Sequence, residues 1–384
     1  MFSPLIHINP ISFSLQFGSV QFVFLKIITP TTINTAIVIL LSLLLILLLF
    51  AFLILNNSKQ IFIRKKKLST LTENLIAGIV IGTWDNWEED NSSIVRLKKI
   101  LHKKDARNYV INKLEATINN LSGAAKQKVQ LLYNQLNLKQ DSLKKIHSRK
   151  WHIKTKGIIE LYTFGQTDMI HELYKNVDSH NEIIRMEAQI GIINLLGFKG
   201  LNFLDSLTYP LTEWQQLKIL EQLATHTEDG QLSDNLSKWL LSNNDSVVLI
   251  ALRFAEIFQK LHFHNEVLHC LTHINARIRS QAIETLLHIA NETTAKELVN
   301  IYNEEIFSIK IQILKAISAI GNEDQFHFLL TQLSNENDMI KLYAARALTH
   351  CFKTGLTILE EKGKALNTVY EKIYLHIKKE MLLN

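Results

Sequence analysis

The sequence predicts an all-α protein, with one N-terminal transmembrane helix followed by a right-handed α-solenoid of helix pairs. Three observations lead to this prediction. Only 13 glycines and 4 prolines occur among 384 residues, whereas turn-rich all-β folds need many more of both. Residues 33–55 form one uncharged apolar stretch with few polar interruptions. Beyond residue 150, an amphipathic helical pattern recurs about every 31 residues, which is the signature of a repeat architecture.

The apolar stretch, INTAIVILLSLLLILLLFAFLIL, is predicted to be a membrane span. About 20 apolar residues are needed for a helix to cross a hydrocarbon layer roughly 30 Å thick. A cleaved signal peptide would have a shorter apolar core, a basic leader and small residues at the cleavage site. We therefore expect a short extracytoplasmic tail over residues 1–30 and a retained transmembrane helix over residues 31–56.

A cluster of positive charge follows the span directly. Its five side chains are Lys59, Arg64, Lys65, Lys66 and Lys67. Because positive residues flank the cytoplasmic end of a span, they predict that the N-terminus faces outward and that the remainder is cytoplasmic. We also expect these five side chains to face membrane lipid. Residues 57–92 are predicted to be a basic juxtamembrane segment and linker, which includes TWDNWEED (residues 83–90), a linker or alternatively a small recognition patch.

Residues 93–150 are predicted to form basic membrane-proximal helices. Residues 91–156 contain 16 basic and 3 acidic side chains, whereas residues 157–384 contain 20 basic and 28 acidic ones. The basic block allows three interpretations: a solvated charged face, docking to an anionic lipid surface, or nucleic-acid binding. Its position close to the span favours lipid over nucleic acid, because the inner leaflet is anionic.

The distal part repeats one helix. A marker position recurs at Lys154, Arg185, Gln216, Val248, Arg279, Lys310 and Lys341, in steps of 31 or 32 residues. Apolar or small residues stand one before, three after and seven after nearly every marker, and these offsets share one face of a helix. Four residues before five of the markers stand the candidate N-caps Asn181, Thr212, Asn244, Asn275 and Asn337.

A shorter helical pattern precedes several of the capped helices, as in LSDNLSKWLLS and AKELVNIYNEE. Each unit is therefore predicted to be a helix pair that stacks on its neighbours to form one continuous core. We assign residues 151–355 to these repeats and residues 356–384 to a charged helix that caps the array.

The segments IRMEAQIGIINLLG, IRSQAIETLLHIA and IKLYAARALTHCF resemble the second helix of HEAT (armadillo-like) repeats. The resemblance covers residues 150–352, and with the anchor it suggests a membrane-anchored bacterial type. It implies a scaffold or binding surface. Gln216, Val248, Ile219 and Ile313 depart from the family pattern. In such repeats the basic markers are expected to stabilise neighbouring turns.

The segment HFHNEVLHCLTH carries the densest set of metal-ligand types. His269 and His273 are four residues apart, with Cys270 adjacent, which is a usable zinc spacing on a helix. No second Cys/His cluster accompanies them in the sequence, so they are a weak candidate and no metal or cofactor is expected.

The function expected from these observations is a single-pass membrane protein whose cytosolic repeats bind a protein partner. Glu187, Glu256 and Glu284 are the expected partner-binding residues, on exposed faces of successive repeats. The alternatives are an enzyme built on the same repeats, of the lyase or glycosylase type, and a membrane-tethered nucleic-acid binder. No catalytic motif is recognised, so catalysis is not expected.

Overall fold

A computed structural model describes residues 30–81, 91–226, 231–366 and 368–383, and in these ranges the chain is helical without β-strands. The chain divides into two compact units, residues 1–110 and 111–384. Residues 1–29 of the predicted tail and the TWDNWEED segment lie outside the described residues.

The first unit is built on α1 (Pro30–Ile81), which is followed by α2 (Asn91–Ile100) and by the start of α3 (Lys104–Ile118). Helix α1 is much longer than the predicted span of 31–56, since it continues through most of the expected linker. Leu68, Thr72, Leu75 and Ile79 are buried, at alternating spacings of four and three residues. This seam lies on one helical face, and α2 contacts α1. Burial of the seam stabilises the helix beyond the apolar stretch.

The second unit contains sixteen further helices in the described residues. They are α4 (Gly123–Gln135), α5 (Lys139–Ile146), α6 (Trp151–Thr163), α7 (Ile170–Tyr174), α8 (Glu182–Leu196), α9 (Glu213–Leu223), α10 (Gln231–Leu240), α11 (Asp245–Ile257), α12 (His264–His269), α13 (Ala276–His288), α14 (Thr294–Ile301), α15 (Phe307–Ile320), α16 (Phe326–Leu333), α17 (Asp338–Cys351), α18 (Gly355–Leu366) and α19 (Thr368–Leu383).

All seven marker positions lie in helices, namely α6, α8, α9, α11, α13, α15 and α17. The five predicted N-caps are confirmed. Asn181 accepts hydrogen bonds from the backbone N–H groups of Ile183 and Ile184, and Asn244, Asn275 and Asn337 cap their helices in the same manner. Thr212 forms a reciprocal capping box with Gln215. Each cap satisfies an N–H group that the helix itself leaves unpaired.

The shorter helices that precede the capped ones are less regular than the pattern suggests. Several begin or end in a 3₁₀ turn, and before α9 the 3₁₀ conformation extends over ten residues, Gly197–Ser206. Gly197 has a φ of 61°, which favours glycine. A Cβ on Gly200 would lie 3.0 Å from the Ile192 carbonyl oxygen. The two glycines therefore allow a compact segment in the place of a regular helix.

One continuous hydrophobic core runs through the second unit from Ile146 to Ile377, as the stacking of repeats requires. The small residue three positions after a marker explains part of the packing. At Gly157 an added Cβ would lie 2.5 Å from the backbone nitrogen of Ile146, so α5 and α6 approach closely only because this side chain is absent. Ala188, Ala251 and other equivalents are fully buried.

The C-terminal segment forms two helices, α18 and α19, which pack against each other, where the sequence predicts one charged capping helix. Tertiary contacts hold both. The Tyr370 hydroxyl donates to the Leu333 carbonyl at 3.1 Å, and Arg346 Nε donates to Glu380 at 3.0 Å. Ile373 and Ile377 on α19 complete the end of the core.

Candidate functional site

Two of the basic markers, Arg185 and Arg279, donate hydrogen bonds to carbonyl oxygens of the turns that precede their helices. Arg279 donates from Nη1 to the carbonyl oxygens of His273 and Ile274, at 2.9 and 3.1 Å. Its Nε and Nη2 form a bidentate pair with Glu305 at 2.6 and 2.9 Å. This arrangement links one turn to the next repeat. The guanidinium group of Arg279 therefore has a structural role, since it is hydrogen-bonded to the turn and to Glu305.

Other markers show variants of the same contact. Arg185 donates to the Ser179 carbonyl at 2.7 Å and lies over the ring of Tyr209, 4.6 Å from its centre. Lys310 lies over Tyr302. At Gln216, one of the two markers without a basic side chain, the amide donates to the Leu211 carbonyl at 3.4 Å. The expectation that basic markers stabilise turns agrees with the contacts of Arg185 and Arg279.

The histidine-rich segment is spread over different environments. The Cys270 thiol is buried, and burial raises its pKa to about 11. His273 Nδ1 accepts a hydrogen bond from the Asn275 backbone N–H at 3.0 Å, while His269 is exposed. Within the described ranges, no group of three His, Cys, Asp or Glu side chains is placed to hold a metal ion. His264 is buried and hydrogen-bonded to Thr294.

The three acidic residues expected on exposed faces differ in their surroundings. For Glu187 and Glu256 the expectation of an exposed position is wrong, because both are half-buried. Glu187 accepts a hydrogen bond from the Tyr162 hydroxyl at 2.9 Å, and Glu256 accepts one from Gln281 at 2.8 Å. Burial is the main cause that raises the pKa of both carboxyl groups. They are half-buried because the preceding or following repeat covers them.

Glu284 is exposed and lines a groove of about 590 Å³ between α13 and α15. The groove is also lined by apolar side chains, including Leu287 and Ile309. Two hydrogen bonds between lining residues join α13 to α15. Ser280 Oγ donates to Gln312 Oε1 at 2.7 Å, and Gln312 Nε2 donates to the Ser280 carbonyl at 2.9 Å. The two walls are therefore held at a constant separation.

The charge along this face varies from helix to helix. One row is formed by the residues that follow their markers by five positions, namely Arg253 on α11, Glu284 on α13, Lys315 on α15 and Arg346 on α17. Lys315 and Arg346 lie over the ring of Tyr343, at 5.0 and 5.1 Å from its centre, and Arg346 also pairs with Glu380. That row is the feature that the sequence analysis missed, although the marker spacing itself could have revealed it.

The basic residues expected to face lipid all lie on α1. Lys59 and the run Arg64 to Lys67 are exposed, and so are residues 34–55 of the helix. Helix α1 is long and apolar enough to cross a membrane from Asn34 onward, and no residue of its most apolar 18-residue segment is buried. Exposed lysines at 98, 99, 103 and 104 extend the positive charge into α2 and the turn before α3.

The fold and the row of capped helices define a helical-repeat protein of the solenoid-like class. No protein-family model matches this chain, and no curated protein sequence matches it.

Three solved structures illustrate what it is similar to. An engineered protein is 14% identical, with 73% of this chain and 86% of that chain covered and a TM-score of 0.36. Human deoxyhypusine hydroxylase in complex with glycerol is 10% identical, with 82% and 95% covered and a TM-score of 0.23. Kap121p bound to Nup53p is 11% identical, with 73% and 34% covered and a TM-score of 0.31. At such identities the likeness concerns helical architecture alone.

Proposed function

We propose that this chain is a single-pass membrane protein that presents a HEAT-like solenoid in the cytosol as a scaffold for a protein partner. The observation that carries the proposal is the continuity of α1. One helix joins a fully exposed apolar segment to a seam that is buried in the first unit. The same element thus serves as anchor and as part of the folded domain.

The anchor follows from the cost of exposing so much apolar surface to water. Leu40, Leu45 and Leu55 are each about two-thirds exposed, at 67%, 68% and 68%. The run from Asn34 to Leu55 rises by about 33 Å at 1.5 Å per residue, which matches a hydrocarbon layer of about 30 Å. Such a surface is stable in lipid, where the helix satisfies its own backbone groups.

The orientation follows from charge. Lys59 and the Arg64 to Lys67 run lie at the C-terminal end of the apolar segment, and an excess of positive residues belongs on the cytoplasmic side. The N-terminus then lies outside, and residues 59–384 lie in the cytosol. A reporter that is active only in the cytosol should work when it is fused after Asn384. A reporter that is active only after export should stay silent there, and the reverse pattern would contradict the orientation.

The binding surface is the row of marker helices, and the groove between α13 and α15 is the part of it that would receive the partner. An extended peptide segment fits a groove with fixed walls and an apolar lining. Such a segment would lie beside Glu284 on α13 and Lys315 on α15. We therefore expect it to carry a basic residue near Glu284 and an acidic one near Lys315. Charges of this kind set specificity and the association rate more than affinity.

The test compares partners captured by three full-length proteins purified from detergent. Glu284→Lys reverses the charge of an exposed groove residue and should remove the specific partner that the unaltered protein retains. Glu361→Lys is the matched control, because Glu361 is an exposed carboxylate on α18, outside the groove. If both variants retain the same proteins as the unaltered chain, the groove is not the binding surface.

A further inference from the structure

The first unit places a second set of positive charges beside the cluster on α1. Lys98 and Lys99 lie at the end of α2, and Lys103 and Lys104 lie where α3 begins. All four side chains are exposed, and within the described ranges none of the four ammonium groups has an ion-pair partner. They are therefore available to an anionic ligand.

A hydrogen bond fixes where this turn lies along α1. The Tyr109 hydroxyl of α3 donates to Ser69 Oγ of α1 at 2.9 Å. Ser69 stands two residues after Lys67, and Lys104 stands five residues before Tyr109. At 1.5 Å per residue, Lys104 lies no more than about 8 Å along α3 from that contact. The first turns of α3 are thus held close to α1 near Ser69, just beyond the Arg64 to Lys67 cluster.

The apolar character of α1 reaches this level. Ile61, Phe62 and Ile63 are exposed to 47%, 66% and 54%, and Arg64 follows immediately. Apolar side chains of this size are stable at the boundary between lipid tails and headgroups, with the charged residues beyond them at the headgroups. The two basic clusters therefore meet the layer in which lipid phosphates lie.

We propose that Lys98, Lys99, Lys103 and Lys104 form, with the Arg64 to Lys67 cluster, one binding site for the headgroups of anionic phospholipids. The proposal rests on the membrane anchoring proposed above. Lipid is favoured over nucleic acid because the cations adjoin an exposed apolar helix.

The test uses the full chain in neutral detergent micelles, with lipid retention measured by native mass spectrometry. Dioleoyl phosphatidylserine is the anionic probe and dioleoyl phosphatidylcholine is the neutral one. Changing the four lysines together to glutamine should weaken phosphatidylserine binding at least tenfold and leave phosphatidylcholine retention unchanged. The control changes four exposed lysines of the second unit to glutamine, namely Lys199, Lys296, Lys353 and Lys379, and should alter binding less than twofold.

A second variant tests whether the two clusters form one site. Tyr109→Phe keeps every charge but removes the hydrogen bond to Ser69, and it should weaken phosphatidylserine binding at least threefold. On the unaltered protein, a rise from 0.05 to 0.5 M NaCl should release phosphatidylserine. The salt measurement stands even if a variant fails to fold.

Several results would overturn the site. These are equal retention of the two lipids, equal effects of the lysine variant and its control, no effect of salt or of Tyr109→Phe, and tighter binding of a 20-base-pair DNA duplex than of phosphatidylserine. Alkaline carbonate extraction of the same proteins separates the two proposals. A chain that leaves the membrane contradicts the anchor, whereas a chain that stays with unchanged lipid retention contradicts only the headgroup site.

Discussion

Replacing Arg279 by methionine should open the start of α13. Arg279 makes four hydrogen bonds, two to Glu305 and two to the carbonyl oxygens of His273 and Ile274. The side chains of Arg279 and Glu305 are exposed to only 16% and 5%. Methionine preserves most of the packing volume but leaves the Glu305 carboxylate buried without its cation.

The expected cost is about 3–5 kcal/mol, which is typical of breaking a buried ion pair by removing one partner. Since every 1.4 kcal/mol is a factor of ten, local opening should become about 100 to 4000 times more frequent. Amide hydrogen exchange of the full chain in detergent measures this opening directly, in peptides that cover residues 273–288.

Two further variants make the measurement decisive. Glu305→Gln added to Arg279→Met removes the stranded charge and should recover part of the loss. Lys341→Met is the matched control on α17. Among the described residues, Lys341 forms an ion pair with Asp338, which is 66% exposed, and lies over the ring of Tyr370. Exposed pairs of this kind contribute about 0–1 kcal/mol. The reasoning is refuted if Lys341→Met opens its helix as much as Arg279→Met does, or if the double variant exchanges faster than the single one.

Three other predictions concern packing, thiol chemistry and pH. Gly157→Ala should lower the free energy of unfolding by about 1–3 kcal/mol, because the new Cβ meets the backbone of α5. Gly363→Ala is the control, because its new Cβ meets only ordinary van der Waals contacts, and it should raise the free energy of unfolding by about 0.4–1 kcal/mol. Urea titrations of the two variants distinguish these outcomes. Cys270, with a pKa of about 11, should react with iodoacetamide at pH 7.5 only after denaturation, as peptide mass spectrometry would detect; rapid labelling of the native chain would contradict its burial. Burial raises the pKa of Glu187 above its ordinary 4.5, so ionisation of this carboxyl lowers the stability of the protein as pH rises through the folded-state pKa. The melting temperature of Glu187→Gln should therefore equal that of the unaltered protein below about pH 4 and exceed it at pH 7. A difference in melting temperature that is constant across this range would contradict the raised pKa.

The sequence by itself determined the features that depend on local chemistry. An N-cap needs only a side-chain oxygen within two or three residues of an unpaired N–H group, so Asn181, Thr212 and their equivalents were identifiable from spacing. The positions of the seven marker helices and the candidate span in α1 follow from apolar periodicity and length, which are also local.

Only the tertiary structure decided which polar groups are available. Glu187 and Glu256 occupy helix positions that the periodic pattern assigns to a surface, but Tyr162 and Gln281 from neighbouring repeats cover them. Likewise, the continuation of α1 depends on a seam buried within the first unit. The burial and hydrogen bonding of these carboxylates depend on residues roughly one repeat length away in the sequence. The spacing of residues along one helix does not show which side chains of the neighbouring helix will contact it.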